Sequence, residues 1–156
     1  VEALAAPPGL PARLLYLIFR VPVLGTALFN ALAARPSLAA FLRNRVYADP
    51  AFVTPQMVND YYVTAHQPGA KWAPAAFVTG RLNRSVTADL ARLSRPLHLV
   101  WGRAAQFTPL SQADSFLALR PDIPLDVVDR AGLLPHDEQP EAFGAVVEAF
   151  LAHQAA

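Results

Sequence analysis

The side chains in this chain that could move a proton lie mostly near its C-terminal end. His136, Asp126, Asp129, Asp137 and Glu138 fall within thirteen residues of one another. An imidazole and a carboxylate beside a hydroxyl could carry out acyl transfer, in which a nucleophile is activated by a base that an acid orients. The hydroxyls do not complete that set. Ser37, Ser94, Thr108, Ser111 and Ser115 are isolated, and no Gly-x-Ser-x-Gly elbow is present. Each reads as a cap or turn residue, with Ser111 opening a helix after Pro109. His136 is the sole candidate catalytic residue. Pro135 stiffens its turn, and a surface or supporting histidine is the more ordinary reading. Asp126 and Asp129 read as strand-end solvation, Asp129 beside Arg130. Asp137 and Glu138 suit the positive end of a final helix and do not read as a paired-carboxylate site. His66, His98, His136 and His153 show no metal-ligand spacing, and there is no cysteine. No metal and no cofactor is expected.

Two short apolar runs must position these groups. Pro-Leu-His-Leu-Val-Trp-Gly (96–102) stops at a glycine, and Pro-Leu-Asp-Val-Val-Asp (124–129) leads into Arg-Ala-Gly-Leu-Leu-Pro-His (130–136). Their β-branched content, with helical segments between and after them, predicts strands at 97–101 and 124–128 in a parallel α/β arrangement. A helix over 109–119 supplies the crossover that parallel neighbours need. A last helix over 138–153 docks through Phe143, Val146, Val147, Phe150 and Leu151. Upstream, residues 1–95 read as helices without a convincing strand. These are expected at 11–20, at 23–34 after Pro22, from Ser37 as N-cap to about Val46, and from Thr54-Pro55 to about Ala65. Further helices are expected at 70–80, closed by Gly80, and at 85–93, capped by Ser85.

The C-terminal third resembles the end of an α/β-hydrolase. After the penultimate strand that family carries Trp-Gly-x-x-Asp, three residues and Pro; here Trp101-Gly102-Arg103-Ala104-Ala105 leads to Pro109. After the last strand it carries Gly-His-x-x-x-x-Glu-x-Pro and a helix with an early Phe; here Gly132-Leu133 leads to Glu138, Pro140 and Phe143. The resemblance implies an α/β class and a partial α/β-hydrolase fold. Residues 1–95 would form a helical cap or lid, and residues 96–156 the C-terminal strand-helix-strand-helix part of the core. It also puts the triad acid at Ala105 and the triad histidine at Leu133, neither of which can carry a proton. One implied function is a fragment of a hydrolase acting on apolar, ester-like small molecules. The alternatives are a non-catalytic relative that binds an apolar ligand or partner, and a membrane-surface module. The chain alone is not expected to be active.

The chain has 156 residues, 54% hydrophobic and 16% charged, with formal net charge +1. Its charges are interspersed, so a nucleic-acid partner has no electrostatic support. The chain opens on Val1 without a charged leader segment and is expected to be a piece of a longer protein. Two parallel strands need both faces covered, by the missing N-terminal half of the fold, another chain or a second copy. Residues 14–34 reach the length of a membrane span, but Arg20, Pro22, Gly25 and Asn30 argue against one. A lipid-touching lid is the milder version, and an ordinary buried cap the leading one. The compartment is left open, with the cytoplasm favoured.

Overall fold

The computed structural model describes residues 9–80, 82 and 85–155. The first eight residues of the expected helical block lie outside them. The chain divides into two compact units, residues 1–40 with 54–85 and residues 41–53 with 86–156. Residues 41–53 therefore belong with the sheet, not with the helices that flank them in sequence.

The first unit is helical. Helix α1 (Leu10–Arg20) carries Pro11 in its first turn, where the missing N–H has no intrahelical partner to lose. It ends at Val21, whose extended backbone is what a residue before proline adopts. Helix α2 (Pro22–Leu32) then leaves at 106° to α1. Helix α3 spans Arg35–Phe41. Ser37 does not cap it. The residue lies inside the helix, and its hydroxyl donates to the Ala31 carbonyl at 2.8 Å. Helix α4 (Pro55–Ala65) begins as expected, with the Thr54 hydroxyl accepting from the Met57 N–H at 3.1 Å. Helix α5 (Trp72–Val78) is closed by Gly80 at φ 68. Phe19, Phe29, Ala33 and Ala75 form the core, with Leu15, Leu28 and Ala65 packed against it. Burying each of the two phenylalanines contributes roughly 1.5–3 kcal/mol.

The second unit holds the sheet. It opens with a π-helical turn (Leu42–Val46) and a 3₁₀ turn (Pro50–Phe52). Helix α6 (Thr87–Arg92) starts one residue later than expected, with Val86 and not Ser85 in the cap position. Strands β1 (Leu99–Gly102) and β2 (Leu125–Val128) pair in parallel, Leu99 opposite Leu125 and Gly102 opposite Val128. Both begin later than the sequence suggests. The first ladder bond runs from the Leu99 N–H to the Pro124 carbonyl at 2.9 Å, and Pro124 has no N–H with which to extend pairing backwards. The crossover is a 3₁₀ turn (Leu110–Gln112) and a short helix α7 (Asp114–Leu119). Where one final helix is expected there are two, α8 (Pro135–Glu138) and α9 (Pro140–Ala155). Pro140 cannot continue the backbone ladder, so the chain breaks at Gln139.

Beyond the strands, three backbone segments meet with no room between them. A side chain on Gly102 would run into the carbonyls of Ala131 and Gly132, and one on Gly132 into the Val46 carbonyl and the Ala48 N–H. Only glycine permits such approach. Replacing Gly132 with Ala is expected to destabilise the chain by about 1–3 kcal/mol, as overpacking does. Gly144, in α9 with nothing near its missing side chain, is the control. Gly144→Ala should stabilise by roughly 0.5–1 kcal/mol. Urea denaturation of both variants checks the pair, and equal shifts would contradict the close approach.

Arg120 closes the crossover. Its guanidinium donates to Asp122 at 2.7 and 2.6 Å and to the Leu93 carbonyl at 2.7 Å. The hydrogen bond from Arg120 holds the Asp122 carboxyl below its ordinary range. A carboxylate depressed in the folded state stabilises above its unfolded pKa, and that contribution is lost as pH falls through the folded value. Stability measured against Asp122→Asn should therefore differ by a constant amount near neutrality, with the difference vanishing in acid. A difference that grows on acidification would reverse the assignment.

Candidate functional site

The carboxyl ends of β1 and β2, where open parallel sheets usually place chemistry, frame a cavity of about 150 Å³. Its wall contains the last residues of β1 and Ala105, Thr108, Gly132, Leu133 and Pro135. Backbone bonds fix that wall. After β1 the Arg103 N–H donates to Val128 at 3.0 Å, the Ala104 N–H to Ala131 at 2.9 Å, and the Ala105 N–H turns back to Gly102 at 3.2 Å. The Trp101 indole N–H donates to the Thr108 carbonyl at 2.8 Å and ties down the following loop. The Leu133 N–H donates to the Val46 carbonyl at 2.7 Å.

Ala105 and Leu133, far apart in sequence, thus face one cavity. Ala105 is buried and Leu133 half-buried. Among the described residues no carboxylate and no imidazole lines the wall, and the side-chain hydroxyl there is that of Thr108. His136 is exposed and sits outside it, edge-on to Phe143 at 5.7 Å between ring centroids. The carboxylates near the corner are otherwise engaged. Asp129 pairs with Arg103 and not with its neighbour Arg130, which adopts a left-handed φ of 55 in the turn.

Asp137 and Glu138 do more than face a helix terminus. Asp137 accepts from the Tyr47 hydroxyl at 2.6 Å. One Glu138 oxygen accepts from the Ala48 N–H at 2.6 Å and the other from the Gly132 N–H at 2.5 Å. Together they bind residues 47–48 to the turn at Gly132. Nothing in the local sequence signals this, because the partners lie ninety residues away.

A histidine–carboxylate pair does exist, at the other end of the sheet. His98 Nε2 lies 2.7 Å from Asp126 Oδ2, with the ring edge-on to Phe150 at 5.7 Å. It precedes β1, so it stands a strand length, about 13 Å, from the corner. The register that sets Asp126 opposite Val100 carries the pair, since His98 lies two residues before Val100. Of the other hydroxyls, Ser111 lies in the 3₁₀ turn, and Ser94 borders an open groove near His98. Among the described residues no cluster of His, Asp and Glu could hold a metal ion.

No family model matches the chain. Solved structures do resemble it. A serine hydrolase involved in carbazole degradation is similar over 77% of this chain and 48% of its own, with TM-score 0.62 and 20% identity. A meta-cleavage product hydrolase matches over 76% and 44%, with TM-score 0.59 and 23% identity. E-2-(acetamidomethylene)succinate hydrolase matches over 88% and 62%, with TM-score 0.54 and 18% identity. The chain spans about half the length of the first two. It carries part of an α/β-hydrolase fold, the class that the two glycine-ended strand turns imply.

Removing the Glu138 carboxylate should take the acceptor from the Ala48 and Gly132 N–H groups and from the more distant Asp49 N–H at 3.4 Å. Glu138→Ala is expected to lose about 1–3 kcal/mol and Tyr47→Phe about 0.5–1.5 kcal/mol. Chemical denaturation of each variant measures this. An unchanged midpoint for Glu138→Ala would show that water replaces the clamp at no cost.

Proposed function

We propose that this chain is the cap and C-terminal corner of an α/β-hydrolase-like protein, and that its corner binds a small apolar molecule without turning it over. The observation that carries the reading is the meeting of Ala105 and Leu133 on one cavity with no acid or base in the wall. In the resembling family these positions hold the groups that orient and move the proton. A methyl and an isobutyl group do neither, and losing triad members removes most of the rate. What remains is a pocket edged by Val100, Leu133 and Pro135, suited to an aliphatic or aromatic group.

The rest of the sheet is expected from further chain. The side chains of β1 and β2 are only half-buried or exposed until Gly102 and Val128, whereas parallel strands want both faces covered. A groove of about 300 Å³ lies beside β1, floored by Leu97, Val100, Phe143, Val146, Val147 and Phe150. A strand from an upstream half of the fold suits it; another polypeptide or a second copy are the other occupants. A second reading has the longer protein hydrolyse a small apolar ester, with nucleophile and oxyanion hole in that upstream half. It draws on the hydrolase names of the similar structures. His136 is then the base, and the Pro135 turn must move to bring it in.

Release of nitrophenol from short-chain nitrophenyl esters separates the two. This chain, and the longer protein, should match buffer, and His136→Gln should change nothing. Saturable turnover that disappears in His136→Gln would overturn the binding reading and make His136 catalytic. Turnover gained only by Ala105→Asp with Leu133→His would instead show that the corner keeps hydrolase geometry and lacks only its proton carriers.

A further inference from the structure

Helix α1 is apolar on two faces, and the first unit covers only one of them. Leu15 and Phe19 point into the core. Leu10, Leu14, Leu17, Ile18 and Val21 recur at helical spacing on another face and are exposed, Leu10 by 71%, Leu14 by 54% and Leu17 by 53%. The apolar surface continues past the bend onto α2, where Val23 is 83% and Leu24 54% exposed. Scattered apolar side chains at a surface need no explanation, but a contiguous set does. Helix α5, packed against α1, adds exposed Trp72 and Phe77.

The charges of this unit are one-sided. Its described residues carry Arg13, Arg20, Arg35 and Lys71 against a single carboxylate, Asp60. No Asp or Glu occurs anywhere from residue 9 to residue 48. The second unit has the opposite balance, seven arginines against ten carboxylates, so a net charge near zero for the chain hides two unlike halves. Arg13 and Arg20 are exposed on α1 itself, the helix that bears the apolar stripe.

We propose that the outer face of the α1–α2 elbow docks on an anionic lipid surface. An amphipathic helix with arginines beside a leucine stripe lies in the headgroup layer, apolar side chains inward and cations against lipid phosphates. No single helix among the described residues is long and apolar enough to cross a bilayer, and the pair that would suffice in length is bent by 106°. That bend suits a helix pair lying on a membrane, not one spanning it. Charge selects this occupant over a second copy of the chain. Two copies of a face without carboxylates would bring arginines against arginines, whereas anionic headgroups neutralise them. The inference is independent of the chemistry at the corner.

The test is flotation of the full chain with phosphatidylcholine vesicles and with vesicles that also contain phosphatidylserine. The chain should float with the anionic vesicles and remain in the aqueous layer with the neutral ones. Arg13→Gln combined with Arg20→Gln should lower partition by about thirty-fold, from the worth of two cations near an anionic surface. Leu14→Glu with Leu17→Glu should abolish it, with helical circular dichroism unchanged because both positions are exposed. Recovery of the chain only in the aqueous layer overturns the proposal, as does equal binding to both vesicle types. So does an aqueous dimer that Leu14→Glu with Leu17→Glu makes monomeric, which would assign the face to a second copy.

Discussion

The close approach of three backbone segments at the corner governs the second unit. Gly102 ends β1 against the carbonyls of Ala131 and Gly132, and Gly132 lies against Val46 and Ala48. Separations that small are available only where no Cβ intervenes. The hydrogen bonds then follow from the geometry. Leu133 donates to Val46, Ala104 to Ala131, and Glu138 accepts from both Ala48 and Gly132. A carboxylate with two charge-assisted bonds to backbone N–H groups is a stiff brace. It leaves positions 105 and 133 little freedom, so what those side chains can do is set by their chemistry and not by rearrangement of the loops.

That rigidity bears on the candidate base. His136 follows a proline inside a helix only four residues long, and the next two residues are anchored to Tyr47 and Ala48. Its ring rests on Phe143 at the surface. Bringing it to the cavity would require releasing Asp137 or Glu138. The imidazole–carboxylate contact of His98 with Asp126 is positioned by strand register at the amino end of the sheet, where it links the two strands beside Phe150.

Much of the fold could be read in the residues because it is local. Pro22, Pro55 and Gly80 each mark a helix boundary through their own backbone restrictions, and the structure has boundaries there. The strand turns at Gly102 and Gly132 were legible through their glycines and their spacing to Pro109 and Pro140. What escaped was long-range. Ser37 finds the Ala31 carbonyl and so does not cap its helix. Pro124 trims the ladder from the opposite strand, which is visible only once the register is known. The association of residues 41–53 with the sheet rests on Tyr47, Ala48 and Gly132, contacts separated by most of the chain. The division of charge between the units is only partly legible along the sequence: the stretch without carboxylates from residue 9 to residue 48 shows there, but Arg43 and Arg45 within it belong with the second unit.

The path of residues 41–53 has a topological consequence. The chain passes from one unit to the other after Ala40, returns after Val53 and passes again after Ser85. A single proteolytic nick between Ala40 and Phe41 would give two fragments, but the first unit's core draws Phe19, Phe29 and Ala33 from one and Ala65 and Ala75 from the other. The severed pieces would stay interlocked through those side chains. Such a molecule can be cut, or its halves expressed separately, and still reassemble by complementation.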